Sequence, residues 1–211
     1  MALGFFGHGK RRETLHPFSA ETFENRVFQD FEFGGRNDQV ERLHDATFLN
    51  CAADPRTYIF HPAVLERVKF KEFKCSKFLC IDSEVSLHDV TVSGRKHPTM
   101  LWIKPSETGQ FTDSDYSLDI SEFYGEVSII GVNCYGIRIN PTQHYRLDID
   151  NWKGKRASEF FPGAHVLRIA EELVVNSGAT QAVYSIPRSK EQREEFSQGI
   201  EFLAQQGIII A

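Results

Sequence analysis

One short pattern recurs four times in this chain: apolar, any, acid, apolar, any, apolar. It reads Phe28-Gln-Asp-Phe-Glu-Phe33, Leu43-His-Asp-Ala-Thr-Phe48, Phe70-Lys-Glu-Phe-Lys-Cys75 and Leu87-His-Asp-Val-Thr-Val92. The starts fall 15, 27 and 17 residues apart. Irregular recurrence of a strand-like unit points to rungs of a β-solenoid separated by loops of different length. The fourth and sixth positions lie two apart and share a strand face, but the first lies three before the fourth. No regular strand points all three inward. The pattern therefore predicts a bend at the acid, where a short carboxylate accepts hydrogen bonds from nearby backbone N–H groups. Asp30, Asp45, Glu72 and Asp89 are expected at one stacked corner position. His44 and His88 share a slot, but a repeat intervenes. They are expected two rungs apart on the outer surface, roughly 10 Å from each other, too far for one metal ion.

Composition supports a packed chain. Hydrophobic residues make up 41% of its 211 positions and charged residues 25%, so a core is attainable. Phenylalanine is abundant, 18 against 6 Tyr and 2 Trp, as expected if rings stack rung on rung. The net charge of −5 argues against a nucleic-acid binder, which presents a basic face, and suits a basic partner. Cys51, Cys75, Cys80 and Cys134 form no CxxC pair and read as reduced, inward-facing residues. No metal or other cofactor is expected. The N-terminal apolar residues precede their charges instead of following them, unlike a secretory signal. No window reaches the ~18–20 apolar residues of a membrane span, so a cytoplasmic protein is expected.

The chain divides into a leader or N-terminal cap over 1–24, a β-solenoid over 25–135 and an α/β cap over 136–211. Phe18 and Phe23 are candidates to cover the first open end. Residues 54–65 read as an inserted loop with a further strand-like run, and 104–117 as an exposed loop with Pro105 and Gly109. Phe78-Leu-Cys-Ile81, Met100-Leu-Trp-Ile103, Leu118–Phe123, Val127–Val132, Ile137–Ile139 and Tyr145–Ile149 read as strands. Val166, Ala170, Leu173 and Val174 then keep helical spacing, ended by Asn176-Ser-Gly178. Ala182–Ile186 is a strand. Ser189-Lys-Glu-Gln192 is a capping box before a helix bearing Phe196, Ile200 and Leu203, and Ile208–Ile210 is a last strand. Parallel strands here would make a small unit with right-handed crossovers over the solenoid's second open end. The expected fold class is mainly β: an irregular right-handed β-solenoid of pentapeptide-like or β-helix type, with a C-terminal α/β cap of two helices.

The runs Phe60-His-Pro-Ala-Val-Leu-Glu-Arg-Val68, Val-Thr-Val-Ser-Gly94, Leu118-Asp-Ile-Ser-Glu-Phe123 and Val183-Tyr-Ser-Ile-Pro-Arg-Ser189 together resemble a group of uncharacterised bacterial proteins. That group has irregular pentapeptide-like rungs and a short α/β tail. The resemblance spans roughly residues 25–210. It implies a fold and carries no catalytic residues. Unlike regular pentapeptide-repeat proteins, this chain has rungs that are neither five residues long nor evenly spaced.

No phosphate loop, nucleophile elbow or HExxH motif is present. The densest polar cluster is Asp148-Ile-Asp150-Asn-Trp152-Lys-Gly-Lys155 with Glu159. It brings to mind a metal-dependent nuclease, although its lysines fall in a loop. Asp113-Ser-Asp115 is an acidic loop without the later ligands of a calcium site. Asp148, Asp150, Trp152, Glu159, Asp113 and Asp115 are the candidate binding residues, and no catalytic residue is assigned. The function expected is a non-enzymatic protein-binding module, specifically a bacterial immunity protein that neutralises a basic toxin domain. The alternatives are a nuclease-like or carbohydrate-active enzyme, or a scaffold that self-associates through strand edges.

Overall fold

The structure is a computed structural model that describes residues 21–34, 40–105, 116–152 and 165–205. It is mainly β, and the chain coils for about five turns. The first turn comprises β1 (Thr22–Glu24), β2 (Val27–Phe33) and β3 (Glu41–His44). The second comprises β4 (Thr47–Leu49), β5 (Ala52–Ile59) and β6 (Ala63–Glu66). The third comprises β7 (Lys69–Lys71), β8 (Lys74–Cys75), β9 (Leu79–Asp82) and β10 (Ser86–His88). The coil continues through β11 (Val90–Ser93), β12 (Met100–Lys104), β13 (Leu118–Asp119), β14 (Glu126–Ile130), β15 (Ile137–Arg138) and β16 (His144–Asp148). Equivalent strands of successive turns pair in parallel and build three sheets. Sheet I runs β1-β4-β7-β11-β13-β15, sheet II begins β2-β5-β9-β12-β14, and sheet III runs β3-β6-β10.

The corners explain the repeated hexads. Seven non-glycine described residues have positive φ: Asn25, Asp30, Asp45, Asn50, Arg67, Glu72 and Asp89. Asn25, Asn50 and Glu72 turn the chain from sheet I to sheet II. Asp45, Arg67 and Asp89 turn it from sheet III to sheet I. A single left-handed residue reverses the in–out alternation, so the apolar positions on both sides of it face the axis. Asn and Asp tolerate that conformation best. The predicted bend at the acid is present, but the single stacked corner is not. The hexads at Leu43 and Leu87 share one corner two turns apart, and the one at Phe70 occupies the other. The hexad at Phe28 lies within β2, where Asp30 is opposed by two residues of β5, Pro55 and Arg56, a bulge in β5. That one extra residue is taken up within the ladder, so Ala52–Ile59 is one long strand where a loop followed by a strand-like run was expected from residue 54.

Inward side chains form ladders. Phe23, Phe48 and Phe70 stack with centroids 4.9 and 5.1 Å apart and planes within 10°. Phe31 and Phe73 meet the Phe48 ring edge-on. On sheet II, Ile59, Ile81, Ile103 and Ile129 lie in one register, with Val183 beside Ile129. All these residues are buried. Each contributes roughly 1.5–3 kcal/mol of apolar burial.

The C-terminal part adds α1 (His165–Asn176), β17 (Gln181–Ser185) and α2 (Lys190–Gln205). Gly178 at φ +73° closes α1, with Ala179 N–H donating to the Val174 carbonyl. The Ser189 hydroxyl caps α2, accepting from Gln192 N–H at 3.3 Å. The expected parallel unit is corrected here: β17 runs antiparallel between β14 and β16. Alternation places the same residues on the same faces in either direction, so sequence pattern cannot choose the polarity. Val183 faces the solenoid core. Ala182 and Tyr184 join Tyr145, Leu147 and Trp152 in a second core beneath the two helices. The expected strand at 208–210 lies outside the described residues, as does Phe18.

Candidate functional site

Sheet I presents an outward row, one residue per turn: Thr47, Lys69, Thr91, Asp119 and Arg138. Beside it runs the corner column of Asp45, Arg67 and Asp89. Row and column line a polar groove of about 590 Å³, with Ser117 and Gly136 at its C-terminal end. The repeat distance is set by strand spacing, about 4.8 Å, so the charges are carried on rigid backbone. Arg67 clasps Asp45 through two hydrogen bonds of 2.5 and 2.8 Å and also donates to Glu66. That guanidinium, with His44, holds the Asp45 carboxyl well below the usual carboxylate range. Arg138 lies 3.6 Å from Asp119. Asp89 accepts from the Ser117 hydroxyl at 3.5 Å. Among the described residues Lys69 and Asp89 have no ion-pair partner. Between two occupied pairs the groove therefore offers one cation and one anion that no ion pair among the described residues engages.

Arg67 went unnoticed in sequence because the pattern was defined by an acid. Leu65-Glu-Arg67-Val68-Lys-Phe70 has the same apolar spacing and the same corner conformation. Relaxing the third position to any residue would have found it, along with Phe48-Leu-Asn50-Cys51-Ala-Ala53. His44 and His88 are two turns apart with Glu66 between them, so the predicted separation holds. Both are half-buried.

The outer face of sheet II is different. Tyr58, Cys80, Trp102 and Ser128 form an outward row. Tyr58 stacks on Phe60 at 5.4 Å and meets Phe78 edge-on at 6.2 Å; Phe78 meets Trp102 edge-on at 5.2 Å. The four rings are half-buried. Cys80 points outward yet is fully covered, and burial pushes its thiol up to about 12. Cys51, Cys75 and Cys134 are also free and buried. Beside α1 lies a second groove of about 380 Å³, lined by Met100, Glu126, Ile169, Leu173 and Ile186 among others.

Asp148 ends β16 and is half-buried. It accepts from the Tyr135 hydroxyl at 2.6 Å, Gln181 Nε2 at 3.2 Å and the Asp150 N–H at 3.1 Å. One oxygen serves the turn that follows the strand, and the other ties the strand end to Tyr135 and Gln181. Asp150 is exposed, and Trp152, 1% exposed, belongs to the second core. Glu159, Lys153, Lys155, Asp113 and Asp115 lie outside the described residues. Among the described residues no three His, Cys, Asp or Glu side chains gather closely enough to hold a metal ion, and no helix is long and apolar enough to cross a membrane.

Comparison with family models, with curated proteins and with solved structures finds no match to this chain.

Proposed function

We propose that this protein is a non-enzymatic binding module that grips another protein along the sheet I groove. The observation that carries this reading is the mixed-charge ladder held on paired strands, with Lys69 and Asp89 in no ion pair among the described residues. Such a surface gains specificity from complementary charges and suffers little ordering cost on binding. The net charge of −5 favours encounter with a basic partner. In its specific form the proposal is a cytoplasmic bacterial immunity protein, related to the pentapeptide-like proteins with an α/β tail, that blocks a cognate basic toxin domain. Co-expression with the toxin encoded beside it should restore growth, and the two should co-purify. Lys69→Glu combined with Asp119→Lys, both on exposed or half-exposed strand positions, should weaken the complex at least tenfold without altering circular dichroism. Failure to protect against any neighbouring toxin would end the specific proposal. Protection undiminished by the charge reversals would remove the groove from it.

A further inference from the structure

We propose that the corner of the coil at Glu72 binds single-stranded nucleic acid, with phosphates on five exposed cations and bases on the aromatic row that follows them. The inference is independent of the sheet I groove, whose residues it does not use.

Lysines cluster in sequence at this corner: Lys69, Lys71, Lys74 and Lys77. Lys69 lines the sheet I groove. Lys71 ends β7 and Lys74 opens β8, so the two flank Glu72 where sheet I gives way to sheet II. The Glu72 carboxylate accepts the backbone N–H groups of Arg95, Lys96 and His97 from the following turn. That clasp holds the Arg95 and Lys96 main chain against the corner, beside Lys71 and Lys74. Lys71, Lys74, Lys77, Arg95 and Lys96 are all exposed, and none has an ion-pair partner among the described residues. The one carboxylate in their midst is committed to the three N–H groups. Glu24 lies two strands away from Lys71 in sheet I, and Glu122 a turn beyond Gly94. The net charge of −5 is a sum over the whole chain and conceals this concentration, which an anionic polymer meets as a local field.

A small anion needs a concave site, whereas a convex corner bearing long side chains suits a flexible polyanion that bends around it. The neighbouring rings choose among polyanions. Lys77 leads directly into Phe78, whose ring meets Trp102 edge-on at 5.2 Å and Tyr58 edge-on at 6.2 Å. All three rings are half-buried on the outer face of sheet II. The Lys77 carbonyl accepts from the Thr99 hydroxyl at 2.8 Å, which ties the basic stretch to the residues that lead into β12. An acidic peptide has no planar group to match such a row. A nucleic-acid strand does: its bases stack on aromatic side chains while its phosphates follow the cations. The cations lie on both sides of the corner, and a flat bilayer reaches only one side at a time. Bases paired within a duplex are closed to the rings, so the single strand is the form this surface fits.

Fluorescence anisotropy of a labelled oligothymidylate of about 12 nucleotides, titrated with the full chain, provides the test. A dissociation constant of about 1–100 μM is expected at about 50 mM salt, and with four phosphates contacted the affinity should fall about 50-fold by about 200 mM. Lys71→Glu with Lys74→Glu should weaken binding at least tenfold and flatten that salt dependence, while far-UV circular dichroism stays unchanged. If that pair misfolds, Arg95→Gln with Lys96→Gln repeats the test, because only the main chain of these residues holds Glu72. Trp102→Ala should weaken binding at least fivefold with the salt dependence kept, since the ring carries no charge. Binding should also quench tryptophan fluorescence, and Trp102→Phe should abolish the quenching. No anisotropy change up to about 100 μM protein, binding that folded cation variants leave intact, a duplex bound more tightly than the single strand, or polyglutamate or phosphatidylserine vesicles bound as tightly as the oligonucleotide with Trp102→Ala without effect would each overturn the proposal.

Discussion

At the scale of single residues, the corners concentrate both strain and specificity. Glu72 holds φ +51° while its carboxylate accepts the N–H groups of Arg95, Lys96 and His97 at 2.8, 3.3 and 3.1 Å. Burial alone would raise its pKa, but the three N–H donors outweigh it and the net direction is down. Glu72→Ala should cost about 2–4 kcal/mol by chemical denaturation, because it frees three donors and keeps the strained backbone. Gly34→Ala should be comparably damaging: at φ +84° a Cβ would run into the Phe60 carbonyl. His144 carries the opposite lesson. It is 1% exposed, neither ring nitrogen has a hydrogen-bond partner, and it lies nearly parallel to Phe123. Burial, then the charge of Arg188, lowers its pKa to about 4. Between pH 6.5 and about 4 the unfolded chain binds a proton that the folded chain refuses, so stability rises with pH there and falls on acidification. The loss should approach ~3 kcal/mol, and His144→Phe should remove it while raising stability at pH 7. Glu72 adds to acid sensitivity in the same direction but lower down. Its stabilisation is complete above its unfolded pKa and disappears as pH falls through the depressed folded value.

At the scale of elements, the Phe ladder binds one turn to the next. Phe48 is sandwiched between Phe23 and Phe70 and touched edge-on by Phe28, Phe31 and Phe73. Phe48→Ala should destabilise by about 3–5 kcal/mol. Combined with Phe70→Ala it should cost less than the two single effects added together, since the second truncation removes a ring that has already lost its neighbour. A double-mutant cycle in urea measures this. The hexad pattern made these inward rings legible from sequence because the left-handed corner leaves a fixed three-then-two spacing. The turns that use Asn50 or Arg67 at the corner carried the same spacing without an acid and so escaped notice. The start of the long strand 52–59 was misread for a related reason: its Asp54-Pro-Arg56 resembles a loop, and only pairing with β2 shows Pro55 and Arg56 bulging opposite Asp30 within the sheet.

At the scale of the molecule, sheet II is the common wall of two cores, one inside the coil and one beneath the helices. The hydrogen bonds of β14 to β17 and β17 to β16 cross from one to the other. Loss of either core therefore exposes the strand shared by both. Trp102 sits on the wall and Trp152 in the second core. Single-tryptophan variants should report coincident denaturation midpoints, and separate midpoints would show that the helical part unfolds alone.

What the chain determined by itself was local: which residues are apolar, where a corner must fall, where α1 and α2 begin or end, and that successive units stack. Spacing and capping are short-range chemistry, readable along a line. Tertiary structure alone decided which of two corners three of the hexads occupy, that the fourth lies within a strand, and the antiparallel direction of β17. It also decided which polar residues share a groove. Lys69, Asp89, Asp119 and Arg138 come together because strands from four successive turns pair in register. That register is a property of stacked turns of unequal length, which no single stretch of the chain contains.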